Sequence, residues 1–167
     1  MHHRRLLAAL VSLVMCAAAR PAIAECTEPA APGVNWVRCY LDGRDLSQHD
    51  LTGARLIDSS FQRAVLVKTI FAEVSAYRAK FISAEMKEAI LDQGNFSEAD
   101  FTKADLTGAS LKNADLRRAR FFRANLRGAD LSGARTTGAD FLNADLSQAR
   151  WTDGKRLCAE GSIGQCN

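Results

Sequence analysis

Apart from His2 and His3, the chain has one histidine, His49, with Arg44 five positions before it. An imidazole beside a guanidinium is the one pairing here that suggests a proton carrier next to an anion site. No glycine-rich phosphate loop, nucleophile elbow or zinc-protease helix accompanies it. Both residues fall in an inward register at the start of a repeat array, where the backbone of an N-terminal cap would supply polar partners. Carboxylates are plentiful (Asp100, Asp105, Asp115, Asp130, Asp140, Asp145), but each immediately precedes a regularly spaced apolar residue. That placement explains them as corner hydrogen-bonders rather than acid and base. Neither a catalytic set, nor a metal site, nor a cofactor site is expected.

Cysteines offer a second chemistry. Cys26, Cys39, Cys158 and Cys166 form an even set outside the N-terminal apolar run. Neither pair has the spacing of a zinc knuckle, so two disulfides are expected, with three possible connectivities. Cations offer a third. Arg117, Arg118, Arg120, Arg123 and Arg127 cluster, and Arg63 and Lys103 share the register of Arg123 at forty- and twenty-residue steps. A ladder of cations suits an anionic polymer or partner, and the alternative is a solvated face paired with Asp and Glu.

The element that must position these residues repeats every five. From Leu41 to Trp151 every fifth residue is a centre, and 21 of the 23 centres are large and apolar, the exceptions being Ala76 and Thr136. Two residues before the centre stands Ala in 16 cases. On an α-helix five residues overshoot a turn by about 140°, so centres would not share a face. In a flat strand, odd spacing sends them to opposite faces. A chain that turns a corner in each repeat remains. Gly43, Gly53, Gly108 and Gly128, two after a centre, suit turns needing positive φ.

Every twentieth residue gives Leu41, Phe61, Phe81, Phe101, Phe121, Phe141, and then Leu46, Leu66, Met86, Leu106, Leu126, Leu146. Four edges per coil therefore stack like on like, a phenylalanine wall with a leucine wall facing it. Trp36 and Trp151 fall in the inward register near either end and are large enough to plug the open coils.

Runs such as Ala104-Asp105-Leu106-Thr107-Gly108 and Ala129-Asp130-Leu131-Ser132-Gly133 resemble the pentapeptide-repeat family over residues 39–153. The resemblance implies an all-β fold, a right-handed quadrilateral β-helix with four pentapeptides per coil and nearly six coils. The ending from Trp151 through Cys158 to Cys166 resembles that of exported members of the family. With coils about 4.8 Å apart, an end-to-end disulfide would have to span several coils, so the local pairs Cys26–Cys39 and Cys158–Cys166 are expected. Some members of the family resemble duplex DNA and protect gyrase. That role requires a strongly negative surface, which this chain lacks, so no nucleic acid partner is expected.

Residues 1–24 read as a signal peptide: Arg4 and Arg5, an apolar run over Leu6–Ala19, then Ala22-Ile23-Ala24. Met15 before Cys16 disfavours lipidation at that cysteine. Arg4, Arg5 and Arg20 leave with the leader, so 22 basic residues fall to 19 against 19 acidic, and the net charge of +3 falls to zero. The expected organisation is 1–24 signal peptide, 25–38 N-terminal cap, 39–153 β-helix and 154–167 C-terminal disulfide cap. A periplasmic or secreted, non-catalytic scaffold follows, with a protein partner or a second copy, or an envelope polyanion, as ligand. An enzyme using the Arg44/His49 corner is the competing class. Ile57, Val65, Val67, Ile70, Tyr77, Ile82 and Ile90 replace polar residues in outward slots of the central coils. They are the candidate interaction patch, against the alternative that β-branched residues simply suit the edges.

Overall fold

The computed structural model describes residues 26–167, so the expected leader and Cys16 lie outside the described residues. From Asn35 to Asp130 every fifth residue forms a parallel bridge to the residue twenty positions on, as in Asp45 to Val65 and Val65 to Glu85. One circuit of the chain therefore takes twenty residues, and each pentapeptide makes a quarter of it. No continuous strand or helix occurs among the described residues. The ladder consists of single-residue bridges because a turn on either side leaves one extended residue per edge.

The backbone accounting explains the repeat. Each centre donates to the coil after it (Phe101 N to Arg120 O, 2.7 Å), and so does the second residue beyond it (Lys103 N to Phe122 O, 2.9 Å). The residue before the centre donates to the coil behind it (Asp100 N to Ala79 O, 2.9 Å). The Ala slot closes a turn on the previous centre (Ala104 N to Phe101 O, 2.9 Å). Only the amide just after the centre is left over. The side chain just before the centre takes it, as in Thr102 N to Asp100 Oδ1 at 2.9 Å and Ser132 N to Asp130 Oδ1 at 3.0 Å. Asp and Asn recur before the centres for that local reason, whereas Ser60 and Ser110 leave the amides of Gln62 and Lys112 to Asp42 and Asp92 one coil back.

Positive φ falls at the second residue beyond each centre through Leu146, the third position of a type II turn. Gly43 and Gly128 fill it as the sequence predicts, but seventeen non-glycine residues, including Arg63, Lys103 and Arg123, hold φ of 55–60°. That conformation is uncommon for side-chain-bearing residues. Here two ladder bonds per turn impose it.

Centres and Ala slots are buried through the middle coils. Phe61, Phe81, Phe101, Phe121 and Phe141 stack at 4.9–5.1 Å with rings within 8° of parallel. Ten residues make half a circuit, so the wall opposite is Leu51, Phe71, Leu91, Leu111, Leu131 and Trp151, and the Leu46–Leu146 column is adjacent to the phenylalanines rather than facing them. Phe71 meets Phe81 edge-on at 5.8 Å across the interior. Where the Ala slot holds a polar residue, its hydroxyl reaches a carbonyl 23 residues back: Thr69 to Leu46 O at 2.8 Å, and Ser59 to Trp36 O.

Disulfides join Cys26 to Cys39 and Cys158 to Cys166. The first lays residues 26–30 over Trp36, which is 1% exposed and donates to Glu28 O at 3.3 Å. At the other end, residues 157 and 163 pair antiparallel with Arg150 and Asp145. Trp151 is only half-buried there, a weaker plug than Trp36.

Candidate functional site

The Arg44/His49 corner is not a pocket. Both residues are exposed, and His49 Nδ1 contacts only Ser47 O, at 3.0 Å. Their slot is inward where coils lie on both sides. In the first coil no preceding edge covers it, and residues 26–30 lie over Trp36 and Cys39 instead. Among the described residues no cluster of His, Cys, Asp or Glu could hold a metal ion.

The apolar residues also separate. By register, Ile82 lies on the phenylalanine side, Val65 and Val67 on the leucine side, Ile70 and Ile90 on the third, and Ile57 and Tyr77 on the fourth. Ile70 and Ile90 form a bridge, but Val65 bridges Asp45 and Glu85. All are half-buried except Ile90, at 38% exposure. They do not make one flank.

The seven cations divide into two groups. Arg117 forms a double hydrogen bond with Asp115 (2.8 and 2.7 Å), and Arg118 reaches Glu98 at 3.5 Å. Arg120 reaches Asp140 at 3.9 Å, and Arg127 takes Asp145 at 3.3 Å and Glu160 at 2.8 Å. These four form a paired, solvated face. A hollow of about 360 Å³ beside Arg117 and Arg118 is lined also by Ser97, Glu98 and Thr137. Arg63, Lys103 and Arg123 form no ion pair among the described residues. They share one row with Gly43, Ser83 and Asn143, at the positive-φ corner of the phenylalanine side. The row beside it runs Asp42, Gln62, Ile82, Thr102, Phe122 and Leu142. The Arg123 guanidinium lies 5.1 Å from the Phe122 ring, and Leu142 is 60% exposed. The site that emerges is a cationic row edged by apolar side chains at Ile82, Phe122 and Leu142.

Sequence reasoning missed an alternating row on the fourth side: Arg38, Asp58, Arg78, Glu98 and Arg118, each twenty residues from the next. Arg78 holds Asp58 through bonds of 2.7 and 2.9 Å. The twenty-residue period applied to charges alone reveals it. Nearby, Asp115 is buried and accepts from Arg117 and, at 2.8 Å, from Arg135. The Arg117 hydrogen bond foremost, with Arg135 behind it, holds its carboxyl below the usual range.

A depressed folded-state pKa gives stability that is full above the unfolded value of about 3.9. That stability is lost as pH falls through the folded value. Asp115→Asn is therefore expected to cost roughly 1.5–3 kcal/mol at pH 7. Its melting temperature should also fall less than the wild type's between pH 5 and pH 2. Parallel melting curves across that range would remove Asp115 from the acid-labile set.

A family model described as pentapeptide repeats matches residues 35–72, 79–118 and 119–150, in eight copies. The chain is similar to HetL, a pentapeptide repeat protein of heterocyst differentiation regulation from Nostoc sp. strain PCC 7120: 26% identity, 74% of each chain covered, TM-score 0.39. It is similar to a pentapeptide repeat protein of the Arabidopsis thaliana thylakoid lumen: 26% identity, 74% of this chain and 83% of that one, TM-score 0.25. QnrB1, a plasmid-mediated fluoroquinolone resistance protein, shares 24% identity over 72% of this chain and 65% of its own, TM-score 0.40. No curated protein matches.

Proposed function

The chain belongs to the pentapeptide-repeat family, and from that premise we propose that it is an exported, non-catalytic scaffold binding an acidic protein partner along its cation row. In this reading residues 1–24 are a signal peptide, 25–38 and 154–167 are caps, and 39–153 are a right-handed quadrilateral β-helix of nearly six coils. Two disulfide-bonded cysteine pairs support an oxidising destination, the periplasm or the exterior. The observation that carries the function is the row Arg63, Lys103, Arg123. Every other member of the basic set has a carboxylate partner, and these three face solvent in register. Stacked coils put Lys103 and Arg123 about 4.8 Å apart, with Arg63 about 10 Å from Lys103. Ile82, Phe122 and Leu142 alongside favour a protein, which can cover apolar and charged groups together.

A purely anionic envelope polymer is the second reading, favoured by the unpaired charge alone. Crosslinking in the native envelope and salt titration test both readings. The triple variant Arg63→Glu, Lys103→Glu, Arg123→Glu should fold as the wild type does and lose the crosslinked partner, with wild-type binding weakening as salt rises. Equal binding of dextran sulfate by wild type and Phe122→Ser/Leu142→Ser, with no protein crosslink, would favour the polymer. Retention of the partner by the triple variant would return the row to a solvated face.

A further inference from the structure

The cation row has a spacing as well as a charge, and the spacing selects the shape of what can lie on it. Coils stack here at about 5 Å, as the rings from Phe61 to Phe121 show at 5.0–5.1 Å. Lys103 is two coils beyond Arg63 and Arg123 three, so the cations stand at about 0, 10 and 15 Å. Ser83, exposed and uncharged, fills the coil between Arg63 and Lys103. Of the carboxylates across the corner, Asp105 is held by Lys87 at 3.4 Å and Asp145 by Arg127 at 3.3 Å. Neither Asp45 nor Glu85 pairs with the row. On the adjoining row, the half-buried Ile82 and Phe122 are also two coils apart.

Three chain shapes can be laid against this pattern. An α-helix advances about 1.5 Å per residue, so residues i, i+7 and i+10 lie on one face at about 0, 10.5 and 15 Å. Residues i+4 and i+11, about 10.5 Å apart on the neighbouring flank, meet the step from Ile82 to Phe122. An extended strand presents same-face residues at about 6.7 and 13.4 Å, which leaves Lys103 about 3 Å from the nearest. Long cationic side chains can absorb that offset. Ile82 and Phe122 cannot, because residues about 10 Å apart on a strand point to opposite faces. A polyproline helix repeats at about 9.3 and 18.6 Å, so it reaches Lys103 and misses Arg123.

We infer that the row takes an acidic amphipathic α-helix of the partner protein, laid along the solenoid axis from Arg63 towards Arg123. Carboxylates at i, i+7 and i+10 meet the three cations, and apolar residues at i+4 and i+11 meet Ile82 and Phe122. On the right-handed coil of the proposed fold, this direction turns the i+4 flank towards Ile82, and the reverse direction turns it away. The inference rests on the cation row being the partner site and adds the partner's secondary structure and register.

Two peptides of about 18 residues and identical composition test it on the oxidised full chain. One carries glutamate at i, i+7 and i+10 and leucine at i+4 and i+11, and the other sets the same five residues in alternating order. The first should bind and gain helical circular dichroism on binding, and the second should bind at least about tenfold more weakly. Arg63→Glu, Lys103→Glu, Arg123→Glu should abolish binding of the first. Ser83→Lys reads the register, at a corner whose positive φ Lys68 and Lys103 already adopt. Adding a glutamate at i+3, about 4.5 Å along the helix, should improve binding to Ser83→Lys roughly threefold more than binding to the wild type. No binding, equal binding of the two isomers, binding without gain of helix, or the same i+3 gain on both proteins overturns the helix and leaves the cation row standing. Retention of the native crosslinked partner by the triple variant overturns the row itself, and this inference with it.

Discussion

Phe121→Ala is expected to lower the unfolding free energy by roughly 3–5 kcal/mol, and Phe122→Ala by less than about 1 kcal/mol, although the two residues are adjacent. Phe121 is fully buried, with ring centroids 5.0 Å from Phe101 and 4.9 Å from Phe141. Truncation removes both stacking partners' contacts, and the coils on either side cannot collapse inward because their own ladder bonds fix the spacing. Phe122 points outward beside Arg123 and is half-buried. Its loss forfeits one cation–π contact and some surface coverage. Urea denaturation of both variants reads the difference. Similar losses at the two positions would mean that the inward register is misassigned.

That register was legible because the period of five makes burial a property of position. The Phe61–Phe141 column, the Ala slots and the local disulfides follow from spacing and stacking. Failures came where position in the array overrides position in the repeat. Arg44 and His49 occupy slots identical in register to Ala64 and Ala89, yet they are exposed because the first coil has no edge above them. The seven apolar substitutions look like one cluster along the chain. Quarter-circuit turns distribute them around all four sides.

Two further features depend on what surrounds a residue rather than on its type. Nothing in the identity of Glu73 or Lys103 announces a left-handed backbone, since the constraint comes from ladder bonds to the next coil. Likewise Arg118 and Arg123 are indistinguishable in sequence. Arg118 stands in a row with Glu98, while the row of Arg123 contains no carboxylate, so pairing is decided by residues twenty positions away.

Removing the Cys26–Cys39 bond as the double variant Cys26→Ala/Cys39→Ala is expected to cost about 3 kcal/mol, the chain-entropy value for a loop of this size. The bond spans 13 residues and fixes the cap over Trp36. Alanine is the right replacement because Cys39 occupies an Ala slot. A serine there would have no carbonyl of an earlier coil to reach, unlike Ser59 and Thr69. In a solenoid each coil contacts only its neighbours, so the loss should be confined to the end it touches. Amides of Trp36, Arg38 and Leu41, which donate to Arg55, Ile57 and Ser60 at 2.7–2.8 Å, should lose most of their exchange protection. Those of Phe101 and Leu106, three coils away, should keep theirs. Native-state hydrogen exchange on the variant measures both sets in one experiment. A uniform loss from Trp36 through Leu106 would show that the coils unfold as one cooperative unit. The N-terminal staple would then hold the whole prism rather than its first coil.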